Sequence, residues 1–211
     1  MNDDDDFAPA LPGFETIKRF RDKRRNLIIA KILPGEFYVS KSKEVISTVL
    51  GSCISACIWD ETNGVGGMNH FLLPEQKNTS SKGVLDVASY TTRYGNWAME
   101  YLVNEVIKQG GTRNNLKAKV FGGGKVIHAM TSDVGNGNVE FVFEFLKLEN
   151  IPVIAKDTGG LWPRKVMFDP LTGRAQVKKL RSMHNDTVQR RERVYVSNVK
   201  ESETKSNIEL F

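Results

Sequence analysis

Residues 47–60 read STVLGSCISACIWD and hold the chain's two cysteines, Cys53 and Cys57. On either side of Gly51-Ser52 the residues are apolar, β-branched or small, the composition of buried strand. Glycine and serine in the middle of such a run mark a break in it. The stretch therefore predicts a fold built on sheets, with a cysteine set where a strand is interrupted.

Working outward, NLIIAKILPGEFYVSKSKEVISTVLGSC contains short apolar segments broken at Pro34-Gly35 and around Ser40 to Ser42, successive strands in this reading. ISACIWD is a further strand, ETNGVGG a turn, and GGMNHFLLP a strand stopped by Pro74. Glu75 to Gly83 is a polar loop. A helix is expected through TTRYGNWAMEYLVNEVIKQGG, with Tyr94, Trp97, Ala98, Tyr101, Leu102 and Val106 on one face and Gly110-Gly111 as its stop. LKAKVFGGGKV is a strand running into a glycine turn. A second helix carries Val139, Val142, Phe143 and Leu146, and IPVIAKDTGG and RKVMFDPLTGRAQVKKL are strands, the last pair a hairpin through Pro170 to Gly173. Beyond Leu180 the chain is charged, with a short strand-like RVYVSNV. The expected organisation is an N-terminal extension over residues 1–26, acidic and then basic with a mobile first dozen residues, a single domain over 27–180 and a flexible charged tail over 181–211. No segment repeats at a fixed period, which sets aside solenoids and propellers.

The 211 residues, 40% hydrophobic and 26% charged, suit one globular core with extensions. Apolar runs such as Leu27 to Ile32 are far shorter than the ~20 residues that span a bilayer, so no membrane insertion is expected. The start, Met1-Asn2 followed by four aspartates, lacks the basic-then-apolar pattern of a signal peptide, and a cytoplasmic protein is expected. Two cysteines four residues apart make no disulfide framework. The net charge is +5, and the basic residues are concentrated in IKRFRDKRRN and KKLRSMHNDTVQRRERV, which lack aromatic interleaving or a helix-turn-helix context, so nucleic acid is not an expected partner.

A cysteine at a strand break lies beside exposed backbone N–H groups, which favour a thiolate and accept a developing oxyanion. Cys53 is placed in this way; Cys57, inside ISACIWD, reads as a core residue. A thiol nucleophile needs an imidazole to take and return its proton. His70, in an apolar strand, is the best placed of three histidines, with His128 beyond the glycine loop and His184 in a charged segment. Such a pairing predicts that Cys53 is partly thiolate near neutrality. The imidazole needs an orienting group, and Ser47, Thr48, Asp60 and Asp86 are the candidates. FGGGKV is not a phosphate loop, since its glycines are contiguous and Lys125 precedes a valine; Gly122, Gly123 and Gly124 instead suit a backbone that lines a cleft. Cys53, Cys57 and His70 lack the second ligand pair of a structural zinc site, so neither a metal nor another cofactor is expected.

LGSCISACIWD, then GVGGMNHFLLP with His70 seventeen residues after Cys53, RYGNWAME, KVFGGGKV, GNVEFVFEFL and DTGGLWPRKVMFDPLTGRAQVKK together resemble the CheD family of bacterial chemotaxis, the chemoreceptor glutamine deamidases. The resemblance runs from about Leu27 to about Leu180, and the extended ends look like those of the longer Gram-negative members. It implies an α/β fold, a single-domain layered sandwich of mixed β-sheets flanked by helices, similar in its catalytic core to the deamidase domain of cytotoxic necrotizing factor toxins. It implies a protein-glutamine glutaminase with Cys53 as nucleophile, His70 as general base and acid, and an upstream hydroxyl as third member. Members carry T-x-G-L-G-S-C; Ser47 stands at the threonine's distance with Thr48 beside it, and the spacing favours Ser47. Ser52 and Gly122 to Gly124 are the expected substrate-binding residues. The implied partners are the cytoplasmic domains of methyl-accepting chemotaxis receptors and a CheC-type phosphatase. The alternatives are a non-catalytic receptor- or phosphatase-binding regulator, and methylesterase activity at the same site.

Overall fold

The computed structural model describes residues 8–73, 87–126, 134–181 and, further on, Val188, Arg190, Glu192, Val194, Tyr195 and Ser197. The elements are β1 (Lys18–Asp22), β2 (Leu27–Lys31), β3 (Phe37–Ser40), β4 (Val45–Leu50), β5 (Ile54–Asp60), β6 (Val65–Asn69), α1 (Val87–Lys108), β7 (Lys117–Gly122), α2 (Val134–Leu148), β8 (Val153–Thr158), β9 (Arg164–Phe168) and β10 (Ala175–Lys179). The strands form two five-stranded mixed sheets, ordered β1-β2-β4-β9-β10 and β3-β6-β5-β7-β8.

All seven residues of β5 are buried, because both faces of the second sheet are covered. One face packs on the first sheet, where Trp59 meets the Phe168 ring edge-on with centroids 5.9 Å apart. The other carries α1 and α2. Helix α1 comes close at Gly67, where a Cβ would stand 2.8 Å from Leu102 Cδ1 and 2.7 Å from Tyr38 O. The result is sheet, sheet, helices, with the hydrophobic core drawn from all three layers.

Three expectations change. The domain begins before Leu27: β1 pairs antiparallel with β2, Phe14 is in the core, and Arg19 Nε reaches the buried Glu44 Oε2 at 2.8 Å. The basic run is thus a hairpin strand with one inward-facing cation. The buried face of α1 is Ala98, Met99, Leu102, Val103 and Val106, while Trp97 and Tyr101, one turn apart, lie on its half-exposed flank with rings 4.5 Å apart. Finally, Val194, Tyr195 and Ser197, within RVYVSNV, are helical. The valines of that run signalled a strand, but Val188, Glu192 and Tyr195 fall at i, i+4 and i+7, one helical stripe. Val188 and Glu192 on that stripe are buried, so the residues beyond 181 are not simply a solvated tail. The first seven residues, and the loop expected over 75–83, lie outside the described residues.

Candidate active site

The Gly51-Ser52-Cys53 turn is where the chain leaves one sheet for the other, since β4 belongs to the first and β5 to the second. A tight turn at a sheet crossover leaves backbone N–H groups outside either ladder, and those of Gly51, Ser52 and Cys53 all point to one side. The glycine loop braces this turn from behind: Gly123 N–H donates to Cys53 O and Gly124 N–H to Gly51 O, both at 2.8 Å. Gly122 has φ +115°, and a Cβ there would stand 2.2 Å from Cys53 O. The N–H groups of Gly123 and Gly124, expected from the sequence to face a substrate, are thus committed to holding the nucleophile's turn. Asn138 of α2 completes the brace, donating to Ser52 O at 3.1 Å and accepting from Leu73 N–H at 2.8 Å.

His70 follows β6 directly. Antiparallel pairing runs from Asp60↔Val65 to Cys57↔Met68 and resumes in register at an Ile54↔Phe71 bridge. Cys53 and His70 flank that bridge on a diagonal, so alternation directs both side chains to the same face, the one toward the first sheet. There Thr48 Oγ1 stands 2.7 Å from His70 Nδ1 and donates to Ile32 O at 2.9 Å. The hydroxyl has one proton, and it goes to Ile32 O; toward the imidazole it can only accept. Nδ1 therefore carries the ring proton and Nε2 presents a lone pair. Nε2 is buried and has no hydrogen-bond partner among the described residues.

Thr48, not Ser47, is the hydroxyl that meets the imidazole. Adjacent strand residues point to opposite faces, and Ser47 Oγ donates instead to Val166 O of the neighbouring strand β9 at 3.0 Å. Asp60, at the far end of β5, is occupied by Thr112 N–H and by Asn63. Asp86, His128 and His184 lie outside the described residues. Cys57 is fully buried within β5, where burial pushes its thiol up.

Sequence reasoning missed Glu192. It is 1% exposed, and its carboxylate accepts from Gly51 N–H at 2.9 Å, Ser52 N–H at 3.1 Å, Ser52 Oγ at 2.6 Å and Cys53 N–H at 3.3 Å. Burial, followed by the charge and hydrogen bond of this carboxylate, pushes the Cys53 thiol well above its ordinary value. Burial holds the His70 imidazole down to about 3. Thiol and imidazole are therefore both neutral in this arrangement, the reverse of the thiolate expected from the sequence; burial is the first cause, and for the thiol the Glu192 carboxylate seated in the turn adds to it. A cavity of about 210 Å³ adjoins the site, lined by Ile32, Pro34, Thr48, His70, Val188 and Glu192 among others. Among the described residues no three His, Cys, Asp or Glu side chains gather as a metal site, and no helix is long and apolar enough to cross a membrane.

A buried cysteine, a histidine of fixed tautomer and a nest of N–H donors are the parts of a thiol hydrolase. Residues 72–179 match the family model described as CheD chemotactic sensory transduction. The "Probable chemoreceptor glutamine deamidase CheD" of Hahella chejuensis is 44% identical over 202 residues, 96% of this chain and 94% of that protein. The chain belongs to the CheD family. A CheD relative of the same printed name from Halorhodospira halophila is 47% identical over 95% of this chain and 93% of its own length. The matched stretch of the family model begins at Leu72, past Cys53 and His70, whereas the alignments with the CheD relatives span both. Among solved structures, Neisseria meningitidis protein NMB0706 shares 8% identity at a TM-score of 0.39 over 65% of this chain and 66% of that one, too distant to bear on function.

Proposed function

We propose that this chain is a chemoreceptor glutamine deamidase: it converts glutamine side chains of methyl-accepting chemotaxis receptors to glutamate, acting in the cytoplasm through a thioester on Cys53. The observation that carries the site assignment is the buried Nε2 of His70, without a hydrogen-bond partner among the described residues, its tautomer fixed by Thr48, on the same sheet face as Cys53. Nε2 takes the thiol proton as sulfur attacks the carboxamide carbon. The carbonyl oxygen becomes an oxyanion held by N–H groups of the Gly51–Cys53 turn. The C–N bond then breaks, and ammonia leaves with the proton from His70. Water, deprotonated by the same Nε2, attacks the thioester; glutamate departs and the thiol is restored. Loss of NH and gain of O balance one water consumed against one ammonia released. A methyl ester of receptor glutamate would pass through the same steps with methanol leaving. A CheC-type phosphatase is the further partner we assign. The domain of this reading starts with β1 and includes the C-terminal residues that reach the site.

The test is the mass of a receptor cytoplasmic fragment incubated with the protein. Deamidation adds about one dalton per converted glutamine, mapped by peptide. A fragment that binds the protein and keeps its mass would instead make this chain a non-catalytic regulator.

A further inference from the structure

Three backbone N–H groups and one hydroxyl of a single turn converge on the Glu192 carboxylate, at 2.6 to 3.3 Å. Successive N–H groups aimed at one point form an anion-binding nest, and beside a nucleophile such a nest receives the oxygen that becomes negative during reaction. Both carboxylate oxygens are met by donors. Oε1 takes the N–H groups of Gly51 and Cys53, donors only, as an amide carbonyl requires. Oε2 takes the N–H of Ser52 at 3.1 Å and the Ser52 hydroxyl at 2.6 Å, so it too is met by donors, as a carboxylate product or a developing oxyanion requires. The charge of the same carboxylate, second to burial, disfavours the Cys53 thiolate. Gly51 is matched to this occupant: a Cβ there would stand 2.7 Å from Oε1 and 3.0 Å from Cδ.

The segment that delivers Glu192 is seated as well. Val188, one turn earlier, is 5% exposed and lines the cavity with Thr48 and His70. Tyr195, on the same stripe, packs on Gly35, where a Cβ would stand 2.7 Å from its ring. Gly35 in turn donates its N–H to His70 O at 2.7 Å.

We propose that the Gly51–Cys53 turn is the subsite for the reacting glutamine carboxamide, and that Glu192 is its resident occupant, an intramolecular copy of the deamidation product that substrate must displace. This rests on the deamidase reading above. A glutamate side chain is what deamidation leaves, and this one sits in the nucleophile's own turn, with Oε1 on the donors that a carbonyl oxygen requires. While it stays, the thiol is held protonated and the oxyanion donors are taken, so the enzyme rests closed. A receptor glutamine enters as the segment carrying Val188, Glu192 and Tyr195 leaves.

The decisive experiment makes the chain its own substrate. In Glu192→Gln the carboxamide enters the same subsite; Cys53 sulfur bonds to its carbon, ammonia leaves, and water releases glutamate at position 192. Purified Glu192→Gln is expected to gain about one dalton in the peptide containing residue 192, with a first-order rate independent of protein concentration, and the double variant with Cys53→Ala is expected to keep its mass. A Glu192→Gln protein that keeps its mass over a time in which wild-type protein deamidates a receptor fragment would overturn the inference and leave the function standing. A constant mass in both the variant and the fragment would overturn the two together. Independently, Glu192→Ala should react with iodoacetamide at Cys53 about tenfold faster or more near neutrality, since the carboxylate that occupies the turn and disfavours the thiolate is gone, with Cys57 unchanged as internal reference. Equal labelling of Cys53 in Glu192→Ala and wild type would show that no resident occupant guards the thiol.

Discussion

Thr48→Val removes one oxygen at nearly constant volume and separates the imidazole's orienter from the neighbouring hydroxyl of Ser47. Two buried groups lose their partner: His70 Nδ1–H, with its acceptor at 2.7 Å, and Ile32 O, with its donor at 2.9 Å. Each unpaired buried group costs about 1–3 kcal/mol, or about 2–6 kcal/mol of stability for the two. Many domains of this size survive such a loss. For catalysis, the Nδ1–H bond selects the tautomer with a free Nε2. Losing that preference raises the barrier by about 1–3 kcal/mol, about 5- to 150-fold in rate. Ser47→Ala deletes only the 3.0 Å bond to Val166 O and should leave the rate within a factor of about two, at a stability cost of about 1 kcal/mol. Thr48→Ser keeps the hydroxyl and should keep most of the rate. The assay is deamidation of a receptor fragment at saturating concentration, followed by mass, with urea midpoints to confirm folding. A wild-type rate in Thr48→Val, or a larger loss in Ser47→Ala, would refute the tautomer argument.

His70 makes stability depend on pH. Burial holds its folded pKa down to about 3, against 6.5 for the free side chain. Between those values the unfolded chain binds a proton that the folded one refuses, so stability falls as pH drops from about 6.5 toward about 3. The slope from this group approaches about 1.4 kcal/mol per pH unit, and urea unfolding of wild type against His70→Asn should show that difference in slope. Parallel pH profiles for the two proteins would contradict it. Glu44 accepts from Arg19 Nε and Tyr38 OH at 2.8 Å and from Ser40 Oγ at 2.5 Å while 3% exposed. Glu44→Ala takes the buried carboxylate away from Arg19 Nε, Tyr38 OH and Ser40 Oγ together and should cost about 3–5 kcal/mol by denaturant midpoint at unchanged m; a loss below about 1 kcal/mol would mean that β1 is not an integral strand.

The strands around the site were legible because short β-branched runs separated by glycine, proline and serine carry their own boundaries. Cys53 and His70 were legible as a pair because a strand break and a histidine in an apolar strand are both unusual placements. The choice between Ser47 and Thr48 was not. It depends on which face of β4 looks across to β6, and that follows from the assignment of β4 and β5 to different sheets, a long-range fact. Counting residues back from the cysteine is blind to facing. Glu192 was illegible for a related reason: it lies 139 residues from Cys53, and only the folded chain brings them together. Its one local signal was the i, i+4, i+7 stripe of Val188, Glu192 and Tyr195, obscured by the β-branched run that ends it. The expected thiolate failed as well, since the sequence placed an imidazole beside the thiol but showed neither how deeply the fold buries that thiol nor the carboxylate set beside it.

The central claim is that glutamine is deamidated through sulfur at position 53. The most direct measurement compares Cys53→Ala with Cys57→Ala on the same receptor fragment, each variant first shown to be folded by circular dichroism. The expected result is no mass gain with Cys53→Ala and turnover within a few-fold of wild type with Cys57→Ala, whose side chain is buried within β5 away from the turn. A mass gain of about one dalton per glutamine that persists in folded Cys53→Ala, or equal loss in both variants, would contradict it.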